Sequence, residues 1–288
     1  MTNYRCNICD THSLSNVLAS YDSLDRWQVA AGIAPKASNR EWILCDYCGS
    51  IQNIMSGPDL NALTKQNSQY YKVDFDLSAL RKKYSTITAL PNIRSDNYHR
   101  CLRVFSAIQQ VLLSRYVDTF QVLDVGAGLG IFLDRLSDMF SDLSLMVNCH
   151  AIEPDPLAHY FLTLQKRHIC HHTTFDKFSN SHKFNLVTFN KVLEHTLDPV
   201  NLLIKAKDLL LDSQSIIYVE VPSTLTIELR DKNNGILGSL HNNLYSTRGL
   251  EILGSRSELF LLSSGTISEP SGKISTYGFY VLDSYFDN

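Results

Sequence analysis

The stretch Gln121–Leu136, QVLDVGAGLGIFLDRL, sets three glycines within five residues, between an apolar run and a segment of helical periodicity. Glycine reaches φ > 0 and lets another molecule come close to the backbone. The apolar run Gln121–Val125 predicts a strand, and Ile131–Phe140 predicts the helix after it. Gly126, Gly128 and Gly130 then sit at the carboxyl end of a strand, where open α/β sheets take ligands. The N–H groups opening the helix favour an anionic group. Glu153 follows about 20 residues on and ends the next predicted strand, in register for an acid that binds ribose hydroxyls.

Outward from this point the pattern alternates. Strands are predicted at Asn148–Ile152, His168–His172, Phe184–Asn190, Ser215–Pro222, Glu258–Ser263 and Ser275–Leu282. Helices are predicted at Pro156–Lys166, Val200–Leu210 and Thr247–Leu253. Alternation of this kind predicts an α/β fold: a Rossmann-like, seven-stranded, mostly parallel sheet with helices on both faces. The turn-rich link EPSG between the last two strands predicts that one of them runs antiparallel. Before the sheet, a turn is expected at Gly57-Pro58 and a break at Pro91. A helix is expected from about Asn92 to Tyr116 with Leu102, Phe105, Ile108, Leu112 and Leu113 on its apolar stripe.

A dinucleotide site asks for Gly or Ala where this chain has Ile131. The spacing is G-x-G-x-G with Asp124 two residues ahead, and it resembles motif I of the class I S-adenosylmethionine (SAM) methyltransferases. That resemblance implies that Asp124, Gly126, Gly128, Gly130 and Glu153 form the cofactor site. FNLVTFNKVLEHTLDPVNLL resembles the same family's segment after its fourth strand, in Glu194-His195 and Asp198-Pro199. Asn190 and Lys191 would lie near the cofactor's methionine end. Glu194 and His195 are candidates either for catalysis or for bracing the loop. Phe175, just after the third strand, lies where the family often contacts adenine; its alternative is a core position.

Cys6-x-x-Cys9 and Cys45-x-x-Cys48 each present two thiolates from one tight turn, and together they make the tetrahedral sulfur set that Zn²⁺ prefers. Gly49 falls where such a turn needs φ > 0. His12 is a possible substitute ligand. The 35 residues between the pairs predict an inserted loop carrying LDRWQVAAGIAP. A redox dithiol is the rival reading, but such motifs come singly and open a helix. A structural zinc would staple a segment too small for its own core. The cluster HICHH, His168–His172, lies on a predicted strand whose neighbouring side chains alternate faces, so it is not expected to converge on a metal.

A zinc-binding segment (1–55), a helical linker (56–115) and a SAM domain (116–288) together resemble the sugar C-methyltransferase group. Its members act on nucleotide-linked keto-sugars in surface-polysaccharide and natural-product biosynthesis. They usually carry a further C-terminal domain, for which no counterpart is expected here. GSLHNNLYSTRGLEIL resembles their segment after the fifth strand, in which a His acts as the base; the matching residue is His241. Imidazole titrates near neutral pH and suits that role. The chain has Gly238 and Leu240 where those members have Tyr and Glu, which leaves O- or N-methylation open and a packing role for His241 as the alternative.

Composition narrows the partners. The 288 residues carry a net charge of −3, against the basic footprint that nucleic-acid binding leaves. An RNA methyltransferase gripping RNA through the zinc segment, and a non-catalytic partner that keeps the fold, are the alternatives to a small-molecule methyltransferase. No apolar h-region and no long apolar run stand out, and seven cysteines with two C-x-x-C pairs suit a reducing cytoplasm.

Overall fold

The structure, a computed structural model, describes residues 4–34, 39–55, 61–63, 70–114, 119–143, 145–231 and 235–287. Two sheets organise these residues. The larger is built from β4 (Thr119–Val125), β5 (Met146–Ile152), β6 (Ile169–His171), β7 (Leu186–Asn190), β8 (Ile216–Pro222), β10 (Phe260–Ser268) and β11 (Ile274–Val281). Its order is β10-β11-β8-β7-β4-β5-β6. The pairs among β4 to β8 are parallel, and β11 runs antiparallel to both β8 and β10. The predicted α/β sheet is therefore present, with β11 as the reversed strand. Chain direction across the sheet switches between β4 and β7, which opens a crevice at their carboxyl ends.

The crossover helices are α5 (Ile131–Asp142), α6 (Pro156–Gln165), α7 (Pro199–Lys207) and, after the short α8 (Thr226–Leu229), α9 (Thr247–Arg256). Pro156 and Pro199 open theirs at the first turn, where a missing N–H costs nothing, and Asp155 and Asp198 cap them. Strand residues Leu123, Val187, Ile217 and Val219 are fully buried. Each such side chain contributes about 1.5–3 kcal/mol on burial.

Several element bounds differ from the sequence reading. β6 is only three residues long, and Phe184 makes an isolated bridge to Leu210 ahead of β7. β10 starts at Phe260 because Glu258 takes φ 54, which no strand admits. Helix α4 spans Asp96–Ser114, after α2 (Tyr70–Asp74) and α3 (Leu77–Thr88). Its buried face is Cys101, Val104 and Ile108, while Leu102 is exposed. Docking on α5 sets that face: Phe105 meets Phe140 edge-on, and the Cys101 thiol donates to the Phe132 carbonyl. Gly57-Pro58, Tyr116 and the side chains of Leu112 and Leu113 lie outside the described residues.

The second sheet is antiparallel, β1 (Leu14–Tyr21), β2 (Arg40–Cys45), β3 (Ile51–Met55) and, last, β9 (Asn243–Leu244). The interval between the cysteine pairs is thus not a plain loop. It holds β1, the first residues of β2 and a short helix α1 (Arg26–Ala30), closed by a capping box between Asp25 and Gln28. Nor does the N-terminal segment rely on a core of its own. Its four cysteines, Ile8, Leu14 and Ile43 share one apolar cluster with Tyr245, Leu250 and Leu253.

A buried ionic cluster clamps α4 to the larger sheet. The Glu220 carboxylate on β8 accepts from Arg100 Nε at 3.0 Å, from Arg103 Nη2 at 2.7 Å and from the Tyr218 hydroxyl at 2.7 Å. Lys191 Nζ lies 3.2 Å from it and 2.9 Å from Glu269. Burial alone would raise the Glu220 carboxyl, but Arg100, Lys191 and Arg103 hold it well below the usual range. Removing the charge strands three cations against Glu269. We expect Glu220→Gln to cost about 3 kcal/mol in urea-induced unfolding. An unchanged midpoint would mean that the cluster adds nothing to stability.

Candidate functional site

The loop from β4 to α5 has no ordinary backbone. Gly126, Gly128 and Gly130 take φ of 69, 57 and 75. A Cβ at Gly128 would stand 2.7 Å from the Tyr71 hydroxyl, and one at Gly130 would stand 2.6 Å from Leu162. Conformation and space therefore both demand glycine there. The left-handed turn aims Gly128 N–H at Glu153 Oε2, 2.7 Å away, while Glu153 Oε1 accepts from Asp155 N at 2.8 Å. Glu153 is thus held against the glycine loop, buried, with lone pairs left on both oxygens. Burial pushes its carboxyl up to about 7, offset in part by those two N–H donors. Gly130 caps α5 without any side-chain bond, so the helix N-terminus keeps its donors.

Asp124 sits inside the edge and not in the open crevice. It is buried, and its Oδ1 accepts from Thr188 at 2.6 Å and Asn190 Nδ2 at 2.9 Å, tying β4 to β7. Burial, offset by these two bonds, leaves its carboxyl raised to about 6. The bond from Asn190 leaves that residue's Oδ1 buried without a partner beside the glycine loop. This orphan acceptor, the Glu153 carboxylate and the glycine cradle suit a ligand that carries ribose hydroxyls and an ammonium group. Lys191 takes φ 60 and sends its ammonium into the ionic cluster described above, an engagement that spacing alone could not reveal. Phe175 lies in the core at 5 % exposure, edge-on to Phe189 and under Lys205.

Past Lys191 the chain turns through Val192 against Gly126 and into a short 3-10 turn, Leu193–His195. Here Glu194, His195 and His241 meet: one ligand atom from each lies within 4.8 Å of the other two. The His195 and His241 rings stand 4.7 Å apart. His195 Nδ1 lies 2.9 Å from the Leu240 carbonyl and His241 Nδ1 2.6 Å from that of Ile236. Those carbonyls fix Nδ1 as the donor nitrogen, so Nε2 carries the lone pair on both rings. Burial pushes His241 down to about 3, with His195 adding to the effect, and lowers His195 as well. Glu194 is 1 % exposed and its Oε2 has no partner. Burial pushes its carboxyl up to about 8, with Lys191 offsetting part of the rise.

His241 reaches this point because the N-terminal sheet holds its loop. Trp42 Nε1 donates to the Leu237 carbonyl at 3.1 Å, and Asn53 Nδ2 donates to that of His241 at 2.8 Å. Asp25 accepts from Ser239 N at 2.6 Å and from Ser239 Oγ at 2.8 Å. Sequence reasoning missed Asp25, Trp42 and Asn53, because their partners lie about two hundred residues away.

At the far end of that sheet Cys6, Cys9, Cys45 and Cys48 converge, all buried, with sulfurs 3.7 Å apart for Cys6 and Cys48 and 3.5 Å for Cys9 and Cys45. A tetrahedral ion with Zn–S bonds of about 2.3 Å sets sulfurs about 3.8 Å apart, so the set fits zinc. Each turn is closed by a backbone bond, Asp10 N to Cys6 O and Gly49 N to Cys45 O, and the positive φ falls on Asp10 and Gly49. His12 is exposed and stands outside the set; Thr11 Oγ1 instead touches Cys9 Sγ at 3.1 Å. In HICHH, His168 pairs with Asp134 and His171 with His150, so its members turn apart as alternation predicts. No described helix is long and apolar enough to cross a membrane.

Comparison with solved structures places the fold. The plantazolicin methyltransferase BpumL in complex with SAH (S-adenosylhomocysteine) superposes with a TM-score of 0.55 at 15 % identity, over 77 % of this chain and 97 % of that one. The N-methyltransferase NodS from Bradyrhizobium japonicum WM9 with SAH gives 0.49 at 12 % identity, over 75 % and 99 %. Magnesium protoporphyrin IX methyltransferase (ChlM) from Synechocystis PCC 6803 with SAM gives 0.47 at 9 % identity, over 64 % and 80 %. No curated protein matches the chain in sequence. The family described as "Methyltransferase domain" matches residues 80–257, which span the glycine loop, Glu153 and the Glu194–His195–His241 cluster, and the chain belongs to that family.

Proposed function

We propose that the protein transfers a methyl group from SAM to a small-molecule acceptor. The acceptor class we favour is a nucleotide-linked sugar or related saccharide, of surface-polysaccharide or natural-product biosynthesis. One observation carries the reading: a left-handed glycine loop, Glu153 and an orphan Asn190 oxygen stand at the same sheet edge as a cluster of buried Glu194 with the half-buried His195 and His241. Bound SAM supplies a methyl group already activated on a sulfonium. Glu153 would hold the ribose, Asn190 Oδ1 would take the ammonium, and the loop backbone would lie under the methionine portion. Asp124 and Lys191 brace that edge, and Phe175 backs it from the core. Methyl transfer needs little covalent help, so the work of the chain is to align the acceptor atom, exclude water and manage a proton. Glu194, His195 and His241 are the catalytic groups in this reading, presenting one carboxylate and two imidazole nitrogens to that atom. The bound SAH of BpumL, and the plantazolicin analogues in related BpumL structures, support a cofactor of this kind and a non-macromolecular acceptor. The net charge of −3 supports the same choice over RNA.

Cys6, Cys9, Cys45 and Cys48 hold a structural zinc in this reading, four thiolates leaving no open position. Its task is to keep the sheet that carries the His241 loop in place. Removing it by Cys45→Ser is expected to abolish a content of about one zinc per chain by elemental analysis. It is also expected to lower the thermal midpoint by roughly 5 °C or more. Full stability without metal would remove this role.

Glu153 gives a pH signature. Ribose hydroxyls donate to the ionised carboxylate, so binding favours that form, while burial keeps the free protein partly protonated near pH 7. SAM affinity by calorimetry should weaken as pH falls from about 8 to about 6, with proton release on binding, and Glu153→Gln should flatten the profile. Affinity independent of pH in the parent protein would contradict this assignment. For the acceptor, turnover is expected with a member of a panel of nucleotide-linked sugars. His241→Ala should lower kcat by about a hundredfold or more with SAM affinity unchanged. A lost SAM affinity would instead make His241 a fold residue, and activity on RNA alone would replace the sugar reading.

A further inference from the structure

The Glu194–His195–His241 cluster has the donor set of a metal site. We infer that it binds one divalent first-row transition-metal ion. Three observations carry this.

The first is the donor set. Two imidazoles and one carboxylate offer atoms within 4.8 Å of one another. An ion with bonds of about 2.0–2.2 Å needs its donors about 3–3.5 Å apart, which small side-chain rotations supply. The second is orientation. Both Nδ1 atoms are held by backbone carbonyls, Leu240 O at 2.9 Å and Ile236 O at 2.6 Å. A metal-ligating histidine is held in this way, with its other ring nitrogen donating to a carbonyl and so fixing tautomer and ring. The third is a buried acid whose oxygen has no counterpart. Glu194 is 1 % exposed and its Oε2 has no hydrogen-bond partner. The nearby ammonium, Lys191 Nζ, is engaged by Glu220 and Glu269. A buried carboxylate oxygen left bare is costly, and a cation between it and the two rings removes that cost.

The site differs in kind from the four-cysteine cluster. Two nitrogens and an oxygen leave coordination positions open, whereas four thiolates fill a tetrahedron. Open positions take an oxygen ligand, and a hydroxyl bound there loses its proton more readily. The acceptor class is thereby narrowed to molecules offering a hydroxyl, preferably two adjacent oxygens, a class that includes the saccharides above. The ion's place in the reaction rests on the methyl-transfer reading, in which the three side chains then act on the acceptor through the ion and not directly; its binding does not.

The test uses zinc-replete full-length protein and Mn²⁺ alone, since a thiolate set does not favour Mn²⁺. Titration followed by the EPR signal of free Mn²⁺ should give one saturable site per chain. Glu194→Gln and His241→Asn should each weaken it about tenfold or more. Glu258→Gln, at an exposed carboxylate, should leave it unchanged. Circular dichroism melts and zinc content show which variants are folded, and Glu194→Gln, nearly isosteric, serves if the histidine variant is not. No saturable Mn²⁺ binding by the parent protein, or equal affinity in the folded variants, overturns the site. SAM affinity measured on the same samples separates the two readings: its absence overturns methyl transfer and leaves the metal site standing.

Discussion

The hydrogen bond from Gly128 N–H to Glu153 Oε2 sets the geometry of the whole edge. It needs a backbone turned left-handed at Gly128, and that turn leaves no room for a side chain beneath Tyr71. It also needs β4 and β5 in register, which Gly126 N and Ala127 N secure by both donating to the Ile152 carbonyl. With Glu153 fixed, Asp155 beside it caps α6 and accepts from Tyr71 N, so the same short segment places α2 over the loop. Two neighbouring carboxylates, Glu153 and Asp155, thus join the end of β5, the glycine turn and the helices that cover them.

A second constraint comes from the far end of the chain. The segment after β8 is β9 of the small sheet before it is the start of α9, and Ser246, the cap of α9, donates to the Cys48 carbonyl. Arg256 at the other end of α9 donates to the Ile8 carbonyl. The two cysteine turns are thereby bolted to both ends of one helix of the large domain. The N-terminal segment acts as a brace for the loop carrying His241, and metal bound by the cysteines would act on catalysis at a distance, through hydrogen bonds to that loop.

Much of this was legible in the sequence. The glycine loop, Glu153 and the order of strands and helices follow from local signals: periodicity, Pro and Asp at helix starts, and glycines at strand ends. The two cysteine turns were equally plain, because a C-x-x-C pair carries its own turn chemistry. Contacts between distant segments were not legible. The stripe on α4 was misplaced at Leu102 because the sequence holds apolar residues on two faces, and only docking on α5 chooses Cys101, Val104 and Ile108. The convergence of His241 on Glu194 and His195 depends on β9 pairing with β3, a two-residue strand with no pattern to read. Lys191 resembles a cofactor contact by position, yet its partners Glu220, on β8, and Glu269, just past β10, come from segments that no spacing rule connects to it.

Two buried glutamates at one sheet edge show what the fold does with charge. Glu220 is surrounded by Arg100, Arg103 and Lys191, and its carboxyl stays ionised. Glu194, equally buried, has none of them within bonding distance among the described residues, and burial pushes its carboxyl up to about 8. The cations were available on neighbouring elements and were all drawn to the first site. The chain thus surrounds one buried carboxylate with three cations and leaves an oxygen of the next without a partner, close to two imidazoles. The first glutamate clamps α4 to the sheet. The second is the group on which the proposed cation site and the proposed handling of a proton both rest, because its environment leaves its charge unpaired whenever it ionises.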